Sequence, residues 1–539
     1  MNNPFLIDFE GYCLLTFESR FLFVSSFIIM GLALLMFEFT SKKRIAVFIL
    51  MFAALLIGYL FASIDPFLYM WDEQFHVLVA KNLMDDPLKP MLYREAIHDF
   101  WYQGWSSNVI WLHKPPLFMW QMALSMSVFG VNEIAARLPD IFMHSVMVLF
   151  IYRIGSYSVN ARTGFYAALL YAFAHFPLEL ITGWYVNDHN DKTFIFYITA
   201  SFWALFEYKE KGDSRWVYLI GIFTGCAVLV KLLAGLLVFG PWFLSIIFLY
   251  KKDCFKIRLY FPIIKSLAIC LIIVLLWNVY AIIKYPDEAI HELFYTASHL
   301  TETLEGKFGD YFFHIEAMKI LFVNYNYIHY IILASIIILF FRVRKKEYYV
   351  IILSAIVAVY VIFTLACTKM ESFTAIVSFL IFIAFSASID YILTFIYRKR
   401  KSIIRNIVAF IVIAYLSFIV FDPSRSLSQH VSYDLSEFNF RNAKIREAIY
   451  FRKINEYLKG EKYVVYNADF NLWSHISGMF YTSYICYSFI PSVKQIEEAM
   501  NKGYKVAVLD LEGLPKHITN NPNVKVIKIF WYESFTWKK

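Results

Sequence analysis

KKRIAVFILMFAALLIGYLFASIDPFLYMWDEQFH, residues 42–76, decides the fold. Three cations (Lys42, Lys43, Arg44) precede an apolar run at 45–63, close to the 20 or so helical residues that cross a hydrocarbon core. Lipid offers no water to the backbone, so such a run satisfies its own hydrogen bonds as a helix. Behind it come Asp65-Pro66, the aromatics Phe67, Tyr69 and Trp71, and two adjacent carboxylates, Asp72 and Glu73. Cations before the span place its start in the cytoplasm, and the carboxylate pair emerges on the other side.

The same pattern extends along the chain. Of 539 residues, 60% are hydrophobic and 17% charged, where a soluble protein carries about a quarter charged. Twelve apolar blocks are expected, at 21–39, 45–63, 133–153, 163–181, 192–208, 216–230, 233–250, 261–284, 325–341, 348–366, 373–396 and 403–421. Every second connection is short and basic: 42–44, Arg153 with Arg162, 209–215, 251–258, 342–346 and 398–405. The other connections, among them 64–132 and 285–324, are longer or carry acidic, His and aromatic residues. This alternation predicts a polytopic helical membrane protein with 64–132 and both termini on the non-cytoplasmic side.

The net charge of +8 is dispersed into those loops, which argues against nucleic-acid binding. Six cysteines form no CxxC pair, so neither a disulfide framework nor a zinc knuckle is expected. The first 20 residues lack a basic leader, which argues against a cleaved signal peptide. Past Phe421 the hydropathy falls. Strand-like runs at 463–466, 505–509 and 524–530 and a helix-like run at 493–502 predict a small α/β domain over 422–539, outside the membrane, following a membrane domain over 1–421.

Candidate chemistry gathers in the non-cytoplasmic connections. Asp72-Glu73-Gln74-Phe75-His76 lies just beyond a span, where a solvated helix end is the plain alternative. Trp111-Leu112-His113-Lys114-Pro115-Pro116 sets a His and a Lys before a double proline that breaks the helix. The apolar stretch 117–129 is short for a span and suits an interfacial helix. Asn132-Glu133-Ile134-Ala135-Ala136-Arg137-Leu138-Pro139 opens the next block, with Arg137 read as its anchor.

In order and sidedness these motifs resemble the GT-C superfamily of membrane glycosyltransferases, in the branch of protein O-mannosyltransferases and bacterial lipid A aminoarabinose transferases. That branch carries an Asp-Glu pair after an early span, a Lys-Pro motif before an amphipathic helix, and an Arg-Leu-Pro start to the next span. Gly183-Trp184-Tyr185-Val186-Asn187-Asp188 looks like its second acidic motif, with Asp191 competing for the role. Val230-Lys231-Leu232 looks like its Lys-Gly element, with Leu232 where glycine is usual, and Thr368-Lys369-Met370 like its late Ser/Thr-Lys motif. Phe75-His76 departs from the Arg-Tyr pair of the aminoarabinose enzymes, which puts the same donor sugar in doubt.

The resemblance implies transfer of a sugar from a polyprenyl-phosphate donor to a lipid, glycan or protein acceptor. Asp72 is the implied catalytic carboxylate, with Glu73 and Asp188 as acidic neighbours and Lys114, Lys231 and Lys369 as candidates for the donor phosphate. A carboxylate can meet positive charge developing at the sugar carbon and take the acceptor's proton; cations hold the departing phosphate. For Lys231, snorkelling to the interface is the alternative. His113 and His299 look like the positions that bind zinc in the aminoarabinose enzymes, so a divalent metal is a possible cofactor; either ring could equally hydrogen-bond in the cavity. A bacterial inner membrane fits the loops. A transporter or flippase for a lipid-linked or polar substrate is the alternative function, although such proteins tend to place charges in mid-span and to carry inverted repeats, and neither is evident.

Overall fold

A computed structural model describes residues 17–183, 189–398, 402–426, 440–470, 473–511 and 513–528. The chain begins with α1 (Phe17–Phe39), α2 (Lys43–Ile64), α3 (Asp72–Leu83), α4 (Leu117–Phe129), α5 (Glu133–Ser158), α6 (Ala161–Phe173), α7 (His175–Glu179) and α8 (His189–Lys211). There follow α9 (Arg215–Lys231), α10 (Phe239–Tyr250), α11 (Phe261–Lys284), α12 (Pro286–Ser298), the short α13 (Phe313–Glu316) and α14 (Met318–Leu321), α15 (Ile328–Arg342), α16 (Lys346–Leu365), α17 (Ser378–Ile396) and α18 (Ser402–Phe421).

Eight of the described helical runs are long and apolar enough to cross a membrane, fewer than the twelve expected. Part of the difference is continuity: α9, the tight stretch Leu232–Val238 and α10 join into one run, Arg215–Phe255. Part is composition and length. The block at 163–181 is split where Ala174 turns to an extended ψ of 137°, α8 carries charged residues at both ends, and α15 has 15 residues. Every residue of α6 from Thr163 to Phe173 is buried, whereas α11 and α18 turn Ile272, Leu276, Ile411 and Tyr415 outward, as lipid-facing helices do. The chain is an integral membrane protein.

Five of the six basic connections meet at one end of the bundle. Arg162 there reaches both Glu38 and Asn406, Arg153 pairs with Glu207 at 2.7 Å, Lys209 with Glu347 and Lys345 with Glu210, and Asn160 donates to Asp390. Several of their cations are thus paired with carboxylates on neighbouring helices. Between α5 and α6, glycine is demanded by space: a Cβ on Gly164 would lie 2.3 Å from the Tyr152 carbonyl, and one on Gly155 would lie 2.6 Å from Gly164 Cα.

The chain's last part sits at the opposite end, with α19 (Phe440–Leu458), α20 (Ser474–Tyr481), α21 (Val493–Asn501) and α22 (Lys516–Thr519). The strands β1 (Tyr463–Tyr466), β2 (Ile485–Cys486), β3 (Lys505–Asp510) and β4 (Val524–Lys528) form a parallel sheet in the order β2-β1-β3-β4. Val506 to Leu509 are buried without alternation, as a strand covered on both faces requires. Ser492 and Gln495 form a capping box at the start of α21, and Gly503 turns the chain out of it with φ +78°. The sheet region is bonded to the bundle: Arg441 pairs with Asp65 at 2.7 Å, and Lys81 donates to the carbonyls of Met479, Phe480 and Thr482, where α20 ends. His98 lies 2.8 Å from both Glu498 and the Tyr466 hydroxyl.

Candidate functional site

The segment between α2 and α3 is held by one side chain. Arg137, fully buried in α5, donates to both oxygens of Glu73 at 2.7 and 3.0 Å and to the carbonyls of Ala62, Asp65 and Phe67. Glu73 also accepts the Tyr69 N–H at 2.7 Å. Arg137 therefore anchors the whole turn before α3 as well as its own helix. At the end of that turn Trp71 takes φ +67°, a region where a side chain is strained. Its ring meets Trp473 edge-on at 4.5 Å and stacks near Trp105. Asp72 follows as the first residue of α3, half-buried, where unpaired N–H groups favour a carboxylate.

Trp105 ties this segment to the next. It touches Phe75 of α3 at 4.9 Å and lies parallel to the His113 ring at 5.4 Å, while His76 packs on Trp111 and Phe118. Pro116 then starts α4, accepting the Trp120 N–H. Lys114 is half-buried, with its charge acting on His113, Glu292 and His299 together. His113 Nδ1 lies 2.9 Å from Glu292 Oε2, both side chains buried. Burial lifts the Glu292 carboxyl to about 7 against the opposing pull of Lys114, and burial drives the His113 imidazole well below its usual range. Between them they hold one proton up to near neutral pH, on the carboxyl.

His299 is pushed down to about 4, first by burial and then by Lys114, with Lys231 acting in the same direction. Lys231 pairs with the buried Asp191 at 2.5 Å, so it is more than a snorkelling side chain. Leu232 beside it takes φ +45°, ψ −136°, a conformation that explains why glycine suits that position. The loop at 367–369 is zipped to the His299 loop: the Cys367, Thr368 and Lys369 N–H groups donate to Leu300, His299 and Lys307. The Lys369 ammonium donates to the carbonyls of Phe363 and Thr364 at the end of α16, so its charge caps a helix.

Lys114, Lys231, His113 and His299 are thus brought into one cluster, and Asp72 lies on the helix packed against it through Trp105. Glu73 is turned away into the Arg137 pair. Asp188 lies outside the described residues; its competitor Asp191 faces Lys231. His113 and Glu292 offer one nitrogen and one oxygen, a donor pair that suits zinc. Among the described residues no three His, Cys, Asp or Glu side chains come together to hold an ion. Glu292 was missed in the sequence. No motif marks it; with Ala289 it forms the buried face of α12.

Residues 113–280 match the family described as dolichyl-phosphate-mannose-protein mannosyltransferase. A curated protein of Aquifex aeolicus (strain VF5), called uncharacterized, is 27% identical over 219 residues, 40% of this chain and 40% of that protein. The match therefore spans less than half of that relative. ArnT from Cupriavidus metallidurans, solved bound to undecaprenyl phosphate, shares the fold with a TM-score of 0.60 at 12% identity, over 86% of this chain and 88% of that one. The Archaeoglobus fulgidus oligosaccharyltransferase, solved in complex with Zn and sulfate, gives 0.50 at 11% identity, over 82% and 62%. The chain is an integral membrane protein whose fold is similar to that of these two structures, and its 113–280 segment matches the dolichyl-phosphate-mannose-protein mannosyltransferase family.

Proposed function

We propose that the chain transfers a sugar from a polyprenyl-phosphate donor to an acceptor nucleophile at the end of the bundle that carries the sheet. The convergence of Lys114 and Lys231 on one half-buried cluster beside α3 carries this reading. In the reaction the C1–O bond to phosphate breaks and the acceptor oxygen bonds to C1. The acceptor's proton passes to the Asp72 carboxylate, and polyprenyl phosphate leaves against the two lysines. Charged groups at such a half-desolvated site act more strongly on the developing charge than they would in water. Attack from the face opposite the phosphate inverts the anomeric centre. Glu73 and Lys369 are positioning residues in this scheme, fixing the turn before Asp72 and the end of α16. Asp188 is kept as a second acidic group of the site.

The domain limits follow the same logic: 1–421 is the membrane domain that holds the reaction, and 422–539 is a small α/β domain on the same outer side. The basic end of the bundle faces the cytoplasm and the site faces out, in a bacterial inner membrane. The undecaprenyl phosphate seen on ArnT supports the donor class, and nothing in the comparisons favours a transporter. A second reading adds a divalent ion on His113 and Glu292. The zinc found with the Archaeoglobus fulgidus fold relative favours it, but two ligands fall short of the three that a catalytic zinc keeps, and no step above passes through a metal. Metal analysis of the wild type beside Glu292→Gln tests it. For the donor site, Lys114→Ala and Lys231→Ala should each raise the KM for polyprenyl-phosphate sugar about 10-fold or more. Unchanged KM in both would remove the lysines from the site.

A further inference from the structure

A cavity of about 360 Å³ opens between α3, α5, α19 and the end of α20, within the size range of small-ligand pockets. Lys81, Arg94, Asn132, Glu133, Arg452 and Asn455 are among its polar lining, with Ser483 beside them. Lys81 points its three protons at three carbonyls and has none to spare. The arginines differ. Arg94 uses Nε on Asn82 and one terminal nitrogen on Asp85; Arg452 spends one terminal nitrogen on Glu133 and lies over the Tyr481 ring. Both are about 40% exposed. Each is held in place by a carboxylate while part of its fork still faces the cavity. The lining carries two arginines against one carboxylate.

The cavity's location adds a second constraint. Val131 forms its edge, and immediately before it α4 turns Leu124, Val128 and Phe129 outward at 62–69% exposure. These apolar side chains stand beside the first turn of α5, a helix that enters the bilayer, so the cavity opens at the level where lipid headgroups lie. Planar guanidinium forks match phosphate oxygens in pairs, and basic pockets at this depth suit phosphorylated headgroups.

We propose that this cavity binds the phosphate of an anionic lipid headgroup, through Arg94 and Arg452 with Asn455 and Ser483 as neutral donors. The site is separate from the Lys114 cluster, and its occupancy stands or falls without reference to the transfer reaction. Its wall nevertheless touches the catalytic turn. The Tyr481 hydroxyl donates to Glu133 and accepts the Leu68 N–H, four residues before Asp72. A seated phosphate competes with Glu133 for Arg452 and so reaches that turn through Arg452, Glu133 and Tyr481.

The test uses the full-length protein in detergent, titrated with short-chain phosphatidic acid, with phosphatidylcholine, and with inorganic phosphate as competitor. The wild type should bind phosphatidic acid at least 10-fold tighter than phosphatidylcholine, and Arg94→Gln should remove most of that preference. Asn455→Asp is the safer variant: it keeps the oxygen that accepts the Ser483 N–H and adds a negative charge to the cavity. It should weaken phosphatidic acid binding about 10-fold with no change in Tm. Competition by millimolar inorganic phosphate would show that the phosphate alone is recognised; failure to compete would show that the acyl chains share in binding, and both support a headgroup site. Equal binding of the two lipids by the wild type, or wild-type affinity in Asn455→Asp, would overturn the proposal.

Discussion

Arg137 shows how one residue can fix a site it does not enter. It and Glu73 are both without exposed surface, so removing either leaves a buried charge uncompensated, at a cost of about 3–5 kcal/mol. Glu73→Gln and Arg137→Met should therefore each lower the Tm in detergent by several degrees, and both should slow transfer although neither touches the sugar. A wild-type Tm in both would show that the turn at 65–71 is held by something else. Glu292 makes a prediction of another kind. Its carboxyl is raised to about 7 in the fold, by burial, from an ordinary value of 4.5. Folding therefore favours its protonated form. That preference is fully present below about pH 4.5 and is lost as the pH climbs through 7. In the transfer rate of the wild type a titration near pH 7 should appear, and Glu292→Gln should erase it while leaving the rest of the profile in place. A profile unaltered by the substitution would separate Glu292 from the site. The sequence made Asp72, His113 and Lys114 visible because each stands in a short, unusual run of neighbours. It could not show the His113–Glu292 pair, whose members are 179 residues apart, nor that Glu73 would face Arg137 and not the reactants.

Elements were legible in proportion to their hydrophobic length. The strands at 463–466, 505–510 and 524–528 and the helix at 493–501 stand where the alternation of turn and apolar residues placed them. The two-residue β2 is too short to leave a period, and α19 is amphipathic without a long apolar run, so both emerged only from the structure. The expected block at 163–181 is interrupted for a related reason: continuous apolarity says nothing of the break at Ala174. Packing between spans follows small residues that no hydropathy plot weighs. Gly164→Leu would drive a side chain into the Tyr152 carbonyl and should destabilise the α5–α6 contact by at least about 2 kcal/mol. Gly31, which has nothing within 4 Å of a built Cβ, should accept Leu with no measurable change in Tm. Equal effects at the two positions would refute a close α5–α6 crossing.

For the whole molecule, charge has been sorted to the two ends of an apolar bundle and put to different uses. At one end the basic connections pair with Glu38, Glu207, Glu210, Glu347 and Asp390, an arrangement that ties helix ends together. At the other end Lys114 lies beside His113 and His299, whose pKa values burial lowers, and Lys231 pairs with Asp191. The distribution of cations along the sequence distinguished these ends; the difference in what they do needed the fold. The central claim is that the second end transfers a polyprenyl-linked sugar with Asp72 as the base. Purified protein should be incubated with defined polyprenyl-phosphate sugars and a panel of lipid, glycan and peptide acceptors, and the products weighed by mass spectrometry. The account predicts one acceptor heavier by one sugar residue with the wild type, and at least a 100-fold lower rate with a stably folded Asp72→Asn. Transfer by Asp72→Asn at the wild-type rate would contradict it.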